Sequence, residues 1–256
     1  MISHRSGLAG FTLIELMISL AIGSIVTSAG LSLYLQISSS RSLLQAELAL
    51  QENNYYVNQT MKQLLYQAGY RPLDSALLPT PLLPIKSADQ SFAGINESWD
   101  EGEFIRVEDN GIAIRFEGSS DSSGDADGTI IDCQGRPIAG GEISDVKLSV
   151  ESGALLCTTD GDSVELLSPD DGVTIDSIAV LWGVDSNNDN DVDEYVTATN
   201  NLQSNEKIMA LRVLLLLSSR DNVKSGTSSY RFNGVRYSSD DSRLRKESVT
   251  TVQIRN

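Results

Sequence analysis

The chain has 256 residues, a formal net charge of −16, two cysteines and one histidine. Positions 74–194 hold 27 acidic and 5 basic residues, a net of −22, so we expect no nucleic acid to bind there because phosphates would be repelled. Positions 201–256 hold 10 basic and 5 acidic residues, which we expect to offset the acidic region within one folded head. His4 lies at the N-terminus, which argues against Ser-His-Asp or Cys-His catalysis and His-ligated zinc elsewhere. No nucleotide-binding glycine motif occurs, and although carboxylates are abundant we expect no enzyme.

The N-terminal region reads as a short polar segment followed by a membrane-spanning helix. MISHRSGLAG precedes an apolar run from Phe11 to about Gln36. Roughly 25 residues at ~1.5 Å each give ~37 Å of helix, enough to cross a hydrocarbon core of about 30 Å. Arg5 before the span favours a cytoplasmic N-terminus and an external head, because positive charges are more frequent on the cytoplasmic side. Arg41 beyond the span weakens this charge difference.

The length of this run and the presence of Glu15 argue against an ordinary signal peptide and against a plain membrane anchor. The run is too long for a typical secretory signal, and no A-x-A site closes it. A plain anchor would not explain a carboxylate in the apolar stretch, which costs at least a few kcal/mol there.

Gly10-Phe11-Thr12-Leu13-Ile14-Glu15 resembles the cleavage motif of type IV prepilins. The resemblance implies that prepilin peptidase cuts after Gly10 and methylates Phe11, so that residues 1–10 are a leader and 11–36 form a transmembrane and fibre-core helix. Glu15 would then pair with the N-terminal amine of a neighbouring subunit. Two charges that are costly alone in lipid would neutralise each other in the fibre core.

The helix is expected to continue over 37–70 with an apolar face toward the head, and a coiled-coil partner is the alternative for that face. Gly69 and Pro72 predict its end near residue 68. No proline interrupts it, so Gly23 and Gly30 are the expected points of any bend. The apolar positions of this part are Ile37, Leu44, Leu48 and Tyr55, then Val57, Met61, Leu64, Leu65 and Ala68.

The remainder, 71–256, reads as a β-rich head. Short runs between Gly, Asp, Asn and Ser clusters predict strands over 103–107, 111–116, 145–150, 163–167, 173–183, 194–198, 208–218 and 248–254. Leu211–Leu217 is apolar at successive positions, which predicts a buried central strand. The expected fold class is α+β, and the prepilin resemblance implies a type IV pilin-like arrangement, with a long N-terminal helix packed on an antiparallel sheet-rich globular head.

Further segments lie in a fixed order along the chain: Asn53-Asn-Tyr-Tyr, Ala68-Gly-Tyr, Ile131-Asp-Cys-Gln-Gly, Leu156-Cys, Trp182-Gly-Val-Asp, Glu194-Tyr, Ala210–Leu216, Arg243-Leu-Arg-Lys and Thr250–Asn256. Together they resemble the PilW family of minor pilins. The resemblance implies a low-abundance subunit, first in the inner membrane with a single span and a periplasmic head, then in the pilus (fimbrium) near its tip. It would prime and assemble the type IV pilus with other minor pilins and the major pilin, supporting twitching motility and adhesion. The alternatives are a J-type minor pseudopilin of type II secretion and a calcium-dependent tip adhesin.

Cys133 and Cys157 close a loop of about 25 residues. In an oxidising periplasm we expect them to form a disulfide, and two separate buried thiols are the alternative.

An acidic stretch predicts one metal site. Alternating oxygen-bearing side chains suit Ca²⁺, as in an EF-hand loop, although Asn190 stands where that loop has Gly and Val196 where it has Glu. The alternative is a solvated acidic turn between two strands, and Asp125–Gly128 is a weaker candidate. No other cofactor is expected. The predicted calcium ligands are Asp185, Asn187, Asp189, Asp191, Asp193 and Glu194.

Overall fold

The computed structural model describes residues 12–72, 104–108, 110–197, 207–224 and 226–254. The chain divides into two compact units, Met1–Gln45 and Ala46–Asn256. Helix α1 (Leu13–Tyr66) contributes to both, and all the strands belong to the second. The predicted α+β class with one long N-terminal helix is confirmed.

The helix ends at Tyr66, two residues before its predicted end, in a turn shaped by Gly69. Gly69 has a φ of +73°, and its N–H donates to the carbonyl of Arg115 at 2.9 Å. A side chain here would be strained, and its Cβ would lie 2.9 Å from the ring of Phe104. Glycine therefore stops the helix and lets the sheet approach, as the sequence signal predicted.

Five antiparallel strands form the first sheet in chain order: β1 (Ile105–Glu108), β2 (Gly111–Glu117), β3 (Ile143–Glu151), β4 (Ala154–Thr159) and β5 (Asp162–Leu167). Strand β4 was not predicted. It lies between two two-residue turns, Ser152-Gly153 and Asp160-Gly161, whose residues all have positive φ. Asp-Gly is a typical signal for such a hairpin turn, so the sequence contained the information.

The second sheet has the order β11-β8-β6-β7. A short 3₁₀ turn, Pro169–Asp171, precedes it. Its strands are β6 (Val173–Asp185), β7 (Glu194–Val196), β8 (Lys207–Ser219) and β11 (Arg245–Gln253).

A separate two-stranded hairpin follows β8. Its strands are β9 (Ser228–Phe232) and β10 (Val235–Ser239). Neither strand was predicted from the sequence, although Asn233-Gly234 between them is the strongest short hairpin signal.

Strand β8 is the predicted buried central strand, and the structure supplies the reason for its two apolar faces. Leu211, Val213, Leu215 and Leu217 belong to the main core with α1 and both sheets. The alternate residues Leu214 and Leu216 lie on the opposite face, where they pack with Phe232 of the hairpin. Each face of β8 is thus covered by a different element.

The prediction that one apolar face of the helix packs on the head is confirmed for the positions within 57–68 and wrong for those within 37–55. Val57, Met61, Leu64, Leu65 and Ala68 are buried in the core as expected. Ile37, Leu44, Leu48 and Tyr55 are instead 58–68% exposed. At about 100° per residue, Leu48 and Tyr55 point away from Val57 and from Leu50, which is buried but was not predicted. The two series are separate stripes on opposite sides of the helix.

Candidate functional site

Glu15 closes a capping box at the start of α1. Its backbone N–H donates to the Thr12 hydroxyl at 3.3 Å, and its carboxylate accepts from the Thr12 N–H and hydroxyl, both at 2.9 Å. This arrangement satisfies donors that the first turn of a helix leaves unpaired, and the helix dipole favours the negative charge. Sequence reasoning missed Thr12, although the Thr-x-x-Glu spacing marks this cap.

Within the span, Glu15 is the only charged residue between positions 13 and 36. Both hydrogen bonds from Thr12 reach the same carboxylate oxygen, Oε2. The other oxygen, Oε1, accepts no hydrogen bond from any residue that the structure describes. It is therefore placed to accept from a further donor without opening the cap.

The apolar part of α1 has the composition of a helix that lies in an apolar environment. Its large apolar side chains are exposed, and the helix is long and apolar enough to cross a membrane by length and composition. Its hydroxyl groups donate hydrogen bonds to backbone carbonyls of the same helix. Ser19, Ser24, Thr27, Ser28 and Ser32 each donate to a carbonyl three or four residues earlier, at 2.7–3.0 Å. These side chains therefore need no water as a partner.

Gly23 and Gly30 do not interrupt this helix, which stays α-helical through both positions. Nothing lies within 4 Å of a Cβ placed at either glycine. Small residues such as these let the backbone of another helix approach closely in a membrane or a bundle.

Two family models match the chain. One, described as the prokaryotic N-terminal methylation motif, covers residues 5–31 and so includes Gly10, Phe11 and Glu15. The other, described as type IV pilus-assembly protein W (PilW), covers residues 150–256, from the end of β3 through β11. The chain is thus similar to PilW over residues 150–256 and carries an N-terminal methylation motif over residues 5–31. The methylation motif implies processing by prepilin peptidase and pilin-type assembly, while the predicted cut at Gly10–Phe11 lies outside the described residues.

Among solved structures, this chain is similar to the type IV-like pilin TTHA1219 from Thermus thermophilus. The TM-score is 0.47 at 15% sequence identity, and the match covers 80% of this chain and 94% of that chain. No curated protein matches the sequence.

The predicted disulfide of the head is confirmed: Cys133 and Cys157 are bonded, with their Cα atoms 6.1 Å apart. Cys157 is fully buried on β4, and Cys133 lies in the long β2–β3 connection. The buried carboxylate of Asp132 accepts from the backbone N–H groups of Gln134 and Arg136, both at 2.8 Å. The bond therefore ties a tight, internally bonded turn of this connection to the first sheet.

The acidic loop 185–194 uses its carboxylates to hold its own backbone, and Asp185 and Asp193 each accept more than one backbone N–H. Buried Asp185 accepts from the N–H groups of Asn188 and Asn190 at 2.6 and 2.9 Å. The hydroxyl and N–H of Ser186 donate to Asp193 and hold the pKa of that carboxyl below its usual range. Asn190 has a φ of +67°, so it adopts the left-handed conformation for which an EF-hand loop uses glycine.

These contacts do not gather the six predicted calcium ligands around one point. Asp189 and Asn187 each accept a backbone N–H two residues further along, at 2.9 Å. Over the described ranges, no three His, Cys, Asp or Glu side chains form a group that could hold a metal ion. Calcium binding to this loop stays a prediction.

A cleft of about 930 Å³ lies beside the C-terminal end of α1, and sequence reasoning did not indicate it. One wall is a face of the helix, and the other is part of the β2–β3 connection. The amide of Gln67 joins them, because it donates to the carbonyl of Ile131 at 3.0 Å and accepts from its N–H at 2.9 Å. The lining residues include Gln59, Lys62, Gln63, Tyr66, Tyr70, Asp127 and Thr129.

Proposed function

We propose that this protein is a minor pilin of the PilW family that helps to start and assemble the type IV pilus, and thereby supports twitching motility and adhesion. In this proposal α1 first holds the subunit in the inner membrane with its head in the periplasm. The subunit then enters the fibre near its tip, beside other minor pilins and the major pilin. The joint match to the methylation motif and the PilW domain supports the role, and the position of Glu15 carries the mechanism.

The mechanism begins with the new N-terminus. A cut after Gly10 would leave an ammonium group on Phe11, four residues before Glu15. In the lone subunit, the Thr12 donors stabilise the Glu15 carboxylate at the helix start. In the fibre, Oε1 accepts from the N-terminal ammonium of the neighbouring subunit. The ion pair removes two charges from an apolar surrounding at once, so it favours one axial register between helices.

The helix surface supports the same role. Leu48 and Tyr55 lie on the side of α1 opposite the buried Leu50 and Val57, and both are exposed. In the proposed fibre this stripe faces the helices of neighbouring subunits, since an apolar stripe on a helix is stabilised by burial against another apolar surface.

The test is Glu15→Gln in cells that lack the unmodified protein, with Ser19→Gln as a control in the same segment. Glutamine keeps the size and the Thr12 contacts but cannot neutralise an ammonium group. We expect the mature mass of Glu15→Gln to be unchanged and surface pili to fall by about tenfold or more. Normal piliation would contradict the pairing mechanism. Deletion of the gene separates the alternative: lost piliation supports the proposal, whereas lost protein export with intact pili indicates a type II pseudopilin.

A further inference from the structure

The cleft beside the C-terminal end of α1 takes no part in the Glu15 mechanism. Its volume of about 930 Å³ lies near the upper end of the ~300–1,000 Å³ that small-molecule sites occupy. The amide of Gln67 bonds both the N–H and the carbonyl of Ile131, at 2.9 and 3.0 Å, and so fixes one wall against the other. The cleft is therefore formed before any ligand enters it.

The helix wall of the cleft carries polar groups that the fold leaves without partners. Lys62 and Gln63 are exposed, and Tyr70 is half-buried. Over the described ranges, the ammonium, amide and phenol groups of these three side chains form no hydrogen bond or ion pair. An amide and a phenol both donate and accept hydrogen bonds, so this wall suits a ligand that is rich in both kinds of group.

The opposite wall supplies a fixed acceptor and balances the charge. The Asp127 carboxylate accepts from the hydroxyl groups of Thr129 and Ser119, both at 2.7 Å, and these bonds hold its pKa below the usual range. Among the described residues that line the cleft, Asp127 and Lys62 are the only charged ones, and they have opposite signs. An ionic ligand would therefore meet a charge of its own sign, and one carboxylate is too few for a hard metal ion.

The cleft also offers some apolar surface. Tyr70 contributes an aromatic ring, and Ile130 is the only aliphatic residue among those described as lining the cleft. A tyrosine joins an apolar ring to a polar hydroxyl. Sugars combine the same two properties, because their C–H groups are apolar whereas their hydroxyl groups donate and accept hydrogen bonds.

We propose that this cleft binds a neutral saccharide, with hydroxyl groups of the sugar bonded to Gln63 and Asp127 and its C–H groups against Tyr70. An apolar peptide fits less well, since one aliphatic side chain gives it little surface to bury. The inference deepens the adhesion part of the proposed function, and access to the cleft in a fibre rests on that function, because a subunit near the tip has few neighbours beyond its head. Binding by the free subunit needs neither pilus assembly nor Glu15.

The experiment presents the purified full chain, in a detergent without a sugar headgroup, to an array of immobilised neutral, sialylated and sulfated oligosaccharides. We expect retention on neutral members, and titration calorimetry then gives the Kd for the strongest of them. Gln63→Ala and Tyr70→Phe should each raise this Kd by about fivefold or more, because each removes a hydrogen bond to the ligand. Gln51→Ala and Tyr56→Phe are the matched controls, at exposed positions of α1 outside the cleft, and should leave the Kd unchanged.

Salt separates a neutral ligand from a charged one. The Kd should stay the same as NaCl rises from about 0.05 to 0.5 M, because screening acts only between charges. Lys62→Gln should change the Kd by less than about threefold, since a neutral sugar does not depend on that cation for charge neutralisation.

Each other outcome overturns the proposal. These outcomes are no retention, retention only on sialylated or sulfated members, a Kd that rises with salt, and equal Kd values for the cleft variants and their controls. The amide of Gln63 and the phenol of Tyr70 make no hydrogen bond within the described residues, so the melting temperatures should not change and a lost affinity reports on the cleft. Glu15→Gln should bind the saccharide as the unmodified protein does, so its loss of pili tests the assembly mechanism separately.

Discussion

Leu50 and Leu48 lie two residues apart on α1 and should respond very differently to the same substitution. Leu50 is 4% exposed and belongs to the main core, whereas Leu48 is 63% exposed. Leu→Ala at a buried site costs about 2.7–5 kcal/mol, because transfer free energy is lost and a cavity remains. Leu50 is the first buried residue of the helix, so we expect about 3 kcal/mol. Leu48→Ala should change stability by less than about 0.5 kcal/mol.

The pair is its own control, because the helix propensity lost or gained is the same at both positions. For a protein of this size, about 3 kcal/mol lowers the melting temperature by roughly 6–12 °C. The measurement is thermal unfolding of the full chain in detergent, followed by near-ultraviolet circular dichroism, which reports on head packing. Equal melting temperatures, or a larger loss for Leu48→Ala, would show that the helix packs on the head through the other face.

Three further predictions concern the head. Removing the Cys133–Cys157 bond with reductant should destabilise the head by about 3–4 kcal/mol from its loop of roughly 25 residues, and an unchanged melting temperature would argue against this. Arg245 donates to the Asp241 carboxylate at 2.8 Å and holds its pKa below the usual range, so Asp241 stabilises the fold above pH ~4 and that stability is lost as pH falls. The stability of Asp241→Asn should therefore fall less steeply than that of the unmodified protein as pH drops from ~4 to ~2. Parallel curves of stability against pH for the two proteins would contradict the assignment. Millimolar Ca²⁺ should raise the melting temperature if loop 185–194 binds it, with Mg²⁺ as the control; no gain from Ca²⁺ would remove that site.

Local chemistry made a large part of this protein's structure predictable. Gly10 to Glu15 and the apolar run after them indicate a membrane helix with one functional charge, because a carboxylate in such a run needs a partner. Gly69 ends the helix through its own backbone freedom, and the apolar run of β8 identifies the central strand. Asn233-Gly234 and Asp160-Gly161 also specify hairpins locally, and those strands were missed through incomplete use of the signal.

Other features exist only after the chain has folded. The sequence offers two apolar stripes on α1, and helical periodicity alone cannot tell which one the sheets cover. The inner faces of both sheets decide it, since they bury Leu50 and Val57 and leave Leu48 and Tyr55 outside. Likewise, Arg231 meets Arg236 only through the hairpin register. Sequence determines what depends on neighbouring residues, whereas burial and cross-strand contacts depend on residues that the fold brings together from far apart in the chain.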